Sequence, residues 1–326
     1  MTWFRRFDGL DSTYLRYFFL SPMGKAELLK CVIGSSQQAY TIAALKKAKI
    51  PIPPLPIQRR IAGILSAYDQ LIDNSYRRIK VLEKMARSLY REWFVHFRYP
   101  GYESEPLTPS PLGEIPEGWE ARKLSELVAT QYGYTESTNI SPVGPKYLRG
   151  MDMNKTSYID WSQVPYCPIS VEAKESFAVK KGDVFVIRMA DPGKVGIAEQ
   201  DVDAVFASYL IRVRPTDGGL RPYFLFHLLD SPAYQGYISG ASTGTTRKSA
   251  SAGVITDFQF ALPPMKLIAQ FEERASTFRT MLTTLLLQIN TLRRTRDLLL
   301  PRLLSGQIDV EVLPEHSAEG QASCLN

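Results

Sequence analysis

The sequence predicts an α+β fold in which a mixed α/β globular domain is combined with two long helices. Three observations support this prediction: an internal repeat, two long heptad patterns that each follow a Pro-Pro pair, and a strand-rich segment between them. With 326 residues, of which 44% are hydrophobic, the chain is long enough for two or more structural units.

The internal repeat has a spacing of 210 residues and needs no gap. A repeat of this length has to be explained before any single element is assigned. Its matches are Pro53-Pro54-Leu55 with Pro263-Pro264-Met265, Ser21-Pro22 with Ser231-Pro232, and Gly34 with Gly244.

A long helical pattern follows each Pro-Pro pair, and proline is favoured in the first turn of a helix. We predict helices over residues 57–98 and 263–305. Apolar positions recur at spacings of four and three residues over more than four heptads, which is typical of a coiled-coil seam. The two helices are therefore expected to pack together, although two separate surface helices would give a similar pattern. The seam positions are Ile61, Leu65, Tyr68, Ile72, Ser75, Ile79, Leu82, Ala86, Leu89 and Trp93, and then Phe271, Ala275, Phe278, Leu282, Leu285, Ile289, Leu292, Arg296, Leu299 and Leu303.

Charged residues occupy positions outside the seam, which predicts that those helix faces are solvated. A helix of about 38 residues is ~57 Å long, longer than one turn of B-DNA at ~34–36 Å. Each helix could therefore serve as a spacer. The charged positions include Arg77, Arg78, Lys80, Glu83, Lys84, Arg87, Glu272, Glu273, Arg293, Arg294 and Asp297.

The segment between the helices has the pattern of a strand-rich domain. Short runs of Val, Ile, Tyr and Phe at 147–149, 184–187 and 209–213 are separated by Gly, Pro, Asn and Asp, and a helical pattern returns at 223–229. We predict a mixed α/β domain over 112–262, preceded by a proline-containing linker over 99–111. Residues 306–326 are predicted to form a polar tail.

Composition narrows the classes of function without deciding among them. The net charge of +6 and the pI near 9.1 favour a polyanionic partner, but many basic proteins of this size bind no nucleic acid. The three cysteines are far apart and form no CxxC pair, so a reducing cytoplasm fits better than a disulfide framework or a zinc site. No signal peptide is recognisable, and no uncharged apolar run approaches the ~20 residues that span a bilayer.

Patterns that would indicate catalysis are missing. A methyltransferase needs a glycine-rich bend and an Asn/Asp-Pro-Pro-aromatic loop, for which residues 191–194, DPGK, are a poor match. Residues 240–248 lack the second element of a P-loop. His96, His227 and His316 form no metal-binding pair, and His96 is expected to pack among aromatic side chains. We therefore expect no catalytic site, metal or cofactor, with an enzyme of unfamiliar site as a third alternative.

Several stretches resemble the specificity subunit of Type I restriction-modification systems. Residues 112–124, LGEIPEGWEARKL, are similar to the opening of a target-recognition domain in that family. Residues 53–58 lead into the first long helix as in the family, and 89–98, LYREWFVHFR, and 299–307, LLPRLLSGQ, are similar to the ends of its helical regions. The resemblance covers nearly the whole chain.

The resemblance implies target-recognition domains that read double-stranded DNA and are held apart by an antiparallel pair of helices. It also implies docking onto methyltransferase (modification) subunits, which in turn recruit the restriction subunit. Residues 112–262 match a complete domain, whereas residues 1–56 match only the closing part of one, since 14–22 resembles 224–232. We therefore expect the chain to read one half-site alone, or a whole site through a homodimer or another reader. An assembly or regulatory module that binds the methyltransferase through its coiled coil, without full DNA recognition, is the alternative.

DNA-contacting residues are expected among cations that can reach phosphates and polar side chains that can reach base edges. Residues 242–248, STGTTRK, join small residues to two cations in a predicted loop, although solvated loops are often basic too. We expect the largest contributions from Arg188 and Arg247. The further candidates lie beside strand or turn patterns: Lys146, Arg149, Lys155, Lys194, Lys248, Tyr132, Tyr134 and Asn139.

Overall fold

The computed structural model describes residues 7–33, 39–216, 219–242 and 248–312. The chain divides into two compact units, one formed by Met1–Tyr76 with Leu287–Asn326 and the other by Arg77–Leu286. We call them the helical unit and the mixed unit. Helices and strands are both present and two helices are very long, so the predicted α+β class is confirmed. None of the described helices combines the length and apolar character needed to cross a membrane.

The helical unit contains short helices that pack on segments of the two long ones. Its elements are α1 (Ser12–Leu20), α2 (Pro22–Lys30), β1 (Val32–Ile33), β2 (Ala39–Tyr40), α3 (Ile42–Leu45) and the beginning of α4 (Leu55–Phe94). Side chains fix the helix starts, because the Asp11 carboxylate accepts hydrogen bonds from two amides of α1 and the Ser21 hydroxyl caps α2 ahead of Pro22. The core joins Tyr14 and Leu15 to Ile61, Leu65 and Leu303.

The mixed unit holds the sheet. Its elements are β3 (Leu107–Ser110), β4 (Gly113–Pro116), β5 (Glu120–Lys123), β6 (Val128–Tyr132), β7 (Lys146–Leu148), α5 (Val171–Phe177), β8 (Val184–Ile187), β9 (Val195–Ile197), β10 (Ala204–Phe206), β11 (Leu210–Pro215), α6 (Pro222–Asp230), α7 (Pro232–Ala241), α8 (Ala252–Thr256), β12 (Gln259–Leu262) and the beginning of α9 (Met265–Leu304). The central sheet has the order β6-β11-β8-β9, with antiparallel neighbours. Strands β7 and β10 pair in parallel, and β5 pairs antiparallel with β12, as β3 does with β4.

Both faces of the central sheet are covered. Val184 and Val186 of β8 belong to a core that includes α6, whereas Phe185 and Ile187 belong to a second core with Phe206. All four side chains of β8 are buried, which explains why this strand is an uninterrupted apolar run in the sequence.

Helices α4 and α9 each span 40 residues and begin at equivalent positions of the repeat, Leu55 and Met265. Every predicted seam position is buried or half-buried. In the helical unit, Arg296 bonds to Asp69 and Arg293 bonds to Tyr76. Asp69 precedes Tyr76 in α4, whereas the partner of Asp69 follows the partner of Tyr76 in α9. Within the helical unit α4 and α9 therefore pair in antiparallel orientation.

The sequence repeat is also a repeat of local structure. Helices α1, α2 and α3 lie 210 residues before α6, α7 and α8. Ser21 and Ser231 each separate two helices and accept a hydrogen bond from the amide three residues later, and Thr41 and Ser251 cap the third helix in the same way. The helical unit therefore contains the same succession of three short helices that stands near the end of the domain in the mixed unit.

Three predicted boundaries differ from the structure. Helix α4 ends at Phe94 and not at 98, because Phe97 takes a left-handed backbone (φ 56°) and the Arg98 amide donates to the Glu92 carbonyl. The predicted linker 99–111 includes β3, and the predicted tail begins with a packed segment in which Val310 is 3% exposed. These short segments lack the periodic apolar pattern from which packing can be predicted.

The expectation that all off-seam charges are solvated is wrong. The Glu272 carboxylate accepts hydrogen bonds from two amides at the start of α6, at 3.0 and 3.1 Å. Arg87 pairs with Asp230 at 2.8 Å, and Glu83 accepts a hydrogen bond from the Ser157 hydroxyl. These charged side chains form hydrogen bonds and ion pairs because, within the mixed unit, the domain packs against the long helices.

Two histidines differ in environment. His227 is buried beside Tyr90 and Phe271, with ring centroids 6.0 and 5.6 Å away, and its Nε2 has no hydrogen-bond partner within the described structure. Burial, with a smaller contribution from Arg279, lowers the pKa of His227 to about 3. His96 is exposed beyond the end of α4, so the expectation that it packs among aromatic side chains is wrong. His316 lies outside the described residues.

His227→Phe should reduce the acid sensitivity of the mixed unit. The unfolded chain takes up a proton at His227 near pH 6.5, but the folded chain does so only near pH 3, so stability falls as the pH drops below 6.5. This protonation costs the wild type about 1.4 kcal/mol between pH 7.5 and pH 5.5. Urea unfolding at both pH values should show a smaller loss for the variant by that amount. Equal losses in the two proteins would contradict the prediction.

Candidate nucleic-acid interface

One end of the central sheet collects exposed cations and aromatic rings. Strand pairing places Tyr132, the last residue of β6, opposite Ile211, and Ile187, the last residue of β8, opposite Leu210. Residues just beyond these strand ends therefore lie near one another. The amide of Ile187 also donates to the carbonyl of Lys194, which brings the start of β9 to the same place. We call this surface the Arg188 end, and it consists of Tyr132, Arg188, Lys194, Tyr209 and Lys248.

Arg188 follows β8 directly, and its side chain is half-buried. Its Nη1 lies 3.4 Å from the Ser208 carbonyl oxygen and 3.4 Å from the Met189 sulfur. Its Nε is buried and has no hydrogen-bond partner in the described part of the chain. The guanidinium carbon stands 5.1 Å from the ring centroid of Tyr132, a cation–π distance that holds the group in place. A guanidinium carries five N–H donors, and an incoming acceptor has to meet those on the terminal nitrogens, because Nε is buried.

Two tyrosines flank Arg188 on the surface. The Tyr132 side chain is 44% exposed, and its hydroxyl accepts a hydrogen bond from the Ala252 amide at 3.0 Å. Tyr209 is 53% exposed, and its carbonyl accepts from the amide of Arg188 at 2.9 Å. Tyr209 was not among the predicted site residues. The sequence feature that could have identified Tyr209 is its position directly before the apolar run of β11. Tyr132 has the corresponding position at the end of β6.

Lys248 is held at this surface by backbone pairing. The amide of Ala190 donates to the carbonyl of Lys248, and the amide of Ala250 donates to the carbonyl of Arg188. Lys248 itself is exposed. Arg247, which the sequence ranked with Arg188, lies outside the described residues, as do the neighbouring positions back to 243.

Tyr134 contributes to packing more than to the exposed surface. Its ring lies 5.4 Å from that of Phe177, and its backbone bonds to Phe206 and Ser208. Gly133 permits this close approach, since a Cβ at that position would stand 2.2 Å from the Ala207 carbonyl oxygen. The glycine therefore anchors the chain next to Tyr132 against the segment that leads into Tyr209.

The other predicted cations are placed differently. Lys146 donates to the Val164 carbonyl at 2.8 Å and stands over the Tyr166 ring, and Arg149 forms an ion pair with Asp152 at 2.7 Å. Both side chains already have partners within the protein, so few of their hydrogen-bond donors remain for DNA. Lys155 is exposed, two residues before a serine that contacts the long helices. Asn139 pairs its backbone with Tyr166 and accepts a hydrogen bond from the Ser141 amide through its side chain.

A buried ion pair joins this domain to α9 within the mixed unit. Arg279 is 1% exposed, and its Nε donates to the Glu199 carboxylate at 2.5 Å. Its other nitrogens donate to the hydroxyl and carbonyl of Ser157 at 3.0 and 2.9 Å, and its guanidinium stands over the ring of Phe226. Burial raises the pKa of Glu199, which Arg279 opposes. No sequence pattern predicts this pair, because its two residues lie 80 positions apart.

Comparison with known proteins identifies a family. A family model described as "Type I restriction modification DNA specificity domain" matches residues 5–84 and 116–287. The MjaIX specificity subunit of a Type I restriction enzyme from Methanocaldococcus jannaschii is 27% identical, over 94% of this chain and 71% of the relative. The MjaVIII specificity subunit from the same organism is 28% identical, over 91% of this chain and 71% of the relative.

A solved structure supports the fold. The crystal structure of a Type I restriction-modification S subunit from M. genitalium aligns with a TM-score of 0.56 at 14% identity, over 95% of this chain and 74% of that one. At this identity the likeness bears on the fold alone. The family match, by contrast, extends over both units and includes parts of both long helices. The chain therefore belongs to the family of Type I restriction-modification DNA specificity proteins.

Proposed function

We propose that this chain is the DNA-recognition subunit of a Type I restriction-modification complex and that its Arg188 end reads one DNA half-site. The observation that carries the proposal is the position of the Arg188 guanidinium, which lies beside the exposed Tyr132 ring and the Ser208 carbonyl at the end of the sheet. Arginine recognises guanine in the major groove through paired hydrogen bonds to O6 and N7. The exposed rings of Tyr132 and Tyr209 supply apolar contact area beside it.

Phosphate contacts in this proposal come from the flanking lysines. Lys194 and Lys248 are both exposed at the Arg188 end, and lysine contacts with phosphates position a protein without reading sequence. Arg247 precedes Lys248 directly and stays a candidate for the same surface. Lys146, Arg149, Lys155 and Tyr134 are assigned smaller contributions, because the first two and Tyr134 have internal partners and Lys155 precedes the segment that contacts the long helices.

The chain is proposed to act without catalysis of its own, in the cytoplasm, by bringing methyltransferase subunits to the site. Exposed apolar side chains on the long helices of the mixed unit, Val81, Met85 and Met281, offer a surface for such a subunit. The restriction subunit would then join through the methyltransferase. A two-part DNA site calls for a second reader, which a second copy in a homodimer or another subunit can supply.

Selection from random duplex DNA, with and without a methyltransferase subunit, tests this function. We expect enrichment of one short motif, because a single Arg188 end reads a single half-site. If two copies bind together, the motif should appear as an inverted repeat. Methyltransferase binding with no enriched sequence would contradict DNA reading and would favour an assembly module.

A further inference from the structure

The first copy of the repeat carries more positive charge than the second, although Asp11 and Asp69 flank the stretch compared below. Residues 12–68 contain eight lysines and arginines and a single carboxylate, Glu27. The equivalent residues 222–278 contain four cations and four carboxylates. Both stretches form the same three short helices before a long one, so the fold itself does not require the difference in charge.

Three of the cations replace residues that contact the rest of the domain in the second copy; of those residues Thr256 is buried, whereas Asp257 and Gln259 are exposed. In the mixed unit Thr256 is buried, Asp257 pairs with Lys123 of β5 at 2.5 Å, and Gln259 starts the strand that pairs with β5. The residues 210 positions earlier are Lys46, Lys47 and Lys49, and all three are exposed.

At two further positions, a residue that packs within the domain of the second copy corresponds to a cation in the first copy. Phe226 is buried in the core under the sheet, and Gln235 donates to the Gly193 carbonyl in the turn between β8 and β9. Their equivalents in the helical unit are Arg16 and Lys25, both exposed. This face carries exposed charges where the second copy has an apolar core residue, which suits contact with a polyanion.

Glu27 brings several of these cations together. Its carboxylate accepts a hydrogen bond from Lys30 Nζ at 2.5 Å and from the amide of Lys49 at 3.3 Å, so the end of α2 lies against the segment after α3. One carboxylate cannot neutralise four lysines. We call the set of Lys30, Lys46, Lys47 and Lys49 the basic surface.

We infer that the basic surface binds the phosphate backbone of duplex DNA without reading its sequence. The inference rests on the proposed function, since it assumes that the chain binds DNA. Lysine suits this task because its ammonium is a compact point charge on a flexible stem, able to follow phosphates on any sequence. An acidic protein surface would fit the same charges, and the experiment below separates the two.

The test measures duplex binding against salt for the intact chain, for Lys46→Gln/Lys47→Gln/Lys49→Gln, and for a matched control. The control, Lys174→Gln/Lys180→Gln/Lys181→Gln, removes the same charge from the mixed unit, at positions outside the Arg188 end. Each phosphate contact contributes about 0.9 to the slope of log K against log salt, so the basic-surface variant should bind with a slope shallower by about 2.7. The sequence motif that it selects should be unchanged.

Equal slopes for the intact chain and the basic-surface variant would overturn the inference. An equal loss in the control would also overturn it, because the effect would then reflect net charge alone. Unchanged DNA binding with weakened capture of a purified methyltransferase subunit would assign the surface to a protein partner instead. If the intact chain selects a motif while the slopes agree, only this inference fails; if it binds no duplex, the proposed function fails as well.

Discussion

Replacing Arg279 with methionine is expected to lower the free energy of unfolding by about 3–5 kcal/mol. Arg279 is buried, donates to Glu199 and makes two hydrogen bonds to Ser157. Its loss leaves the buried carboxylate unpaired and both oxygens of Ser157 without this donor. The substitution therefore costs much more than the ion pair contributes, because the buried carboxylate must either stay charged without a partner or take up a proton. Urea unfolding of the purified protein measures the change.

The double variant Arg279→Met/Glu199→Leu provides the control. Since it removes both charges and replaces them with apolar groups, it should regain a substantial part of the lost stability. A surface pair supplies a second comparison: Lys174→Ala removes the exposed partner of Asp203 and should cost less than about 1 kcal/mol. If Arg279→Met were as mild as Lys174→Ala, the network would not fasten the domain to α9.

Arg188→Ala is expected to weaken binding to the selected motif by about 1–3 kcal/mol, roughly 5- to 150-fold. The effect should be largest at one base pair of the motif, since a single guanidinium reads a single guanine. Affinity for unrelated duplex should fall far less, because phosphate contacts persist. Competition titration of the motif against single-base variants at constant salt measures both quantities.

Arg188→Lys separates charge from geometry. Lysine keeps the positive charge but loses the planar fork that makes two parallel hydrogen bonds and stacks on Tyr132, so it should not restore base preference. Full rescue by lysine would mean that Arg188 contacts a phosphate. Lys180→Ala, before β8 and away from the Arg188 end, should leave the motif unchanged.

The long helices could be predicted because their signal is local. A seven-residue period sustained over 61–93 and 271–303 determines which face is buried, and the Pro-Pro pairs mark the starts to within two residues of Leu55 and Met265. The end of α4 could not be predicted in the same way. Phe97 continues the apolar pattern but adopts a left-handed backbone, a choice that depends on packing and not on residue type.

The candidate site was predictable only in part, because strand faces cannot be read from alternation when a sheet is covered on both sides. Arg188 and Tyr132 proved to be neighbours because β8 and β6 both pair with β11. Lys146 and Arg149 are cations like Arg188, yet their side chains donate hydrogen bonds to Val164 and Asp152. Tertiary contacts, which no sequence pattern contains, distinguish the two groups.

Photo-crosslinking at Tyr209 tests most directly whether the Arg188 end touches DNA. Tyr209 is exposed beside Arg188, and a photoreactive phenylalanine analogue there would disturb little packing. The same analogue at Lys181, which is exposed before β8, marks the other end of the sheet. With duplex carrying the selected motif, the account predicts crosslinks from position 209 and none from position 181. Crosslinks from 181 with none from 209 would contradict it.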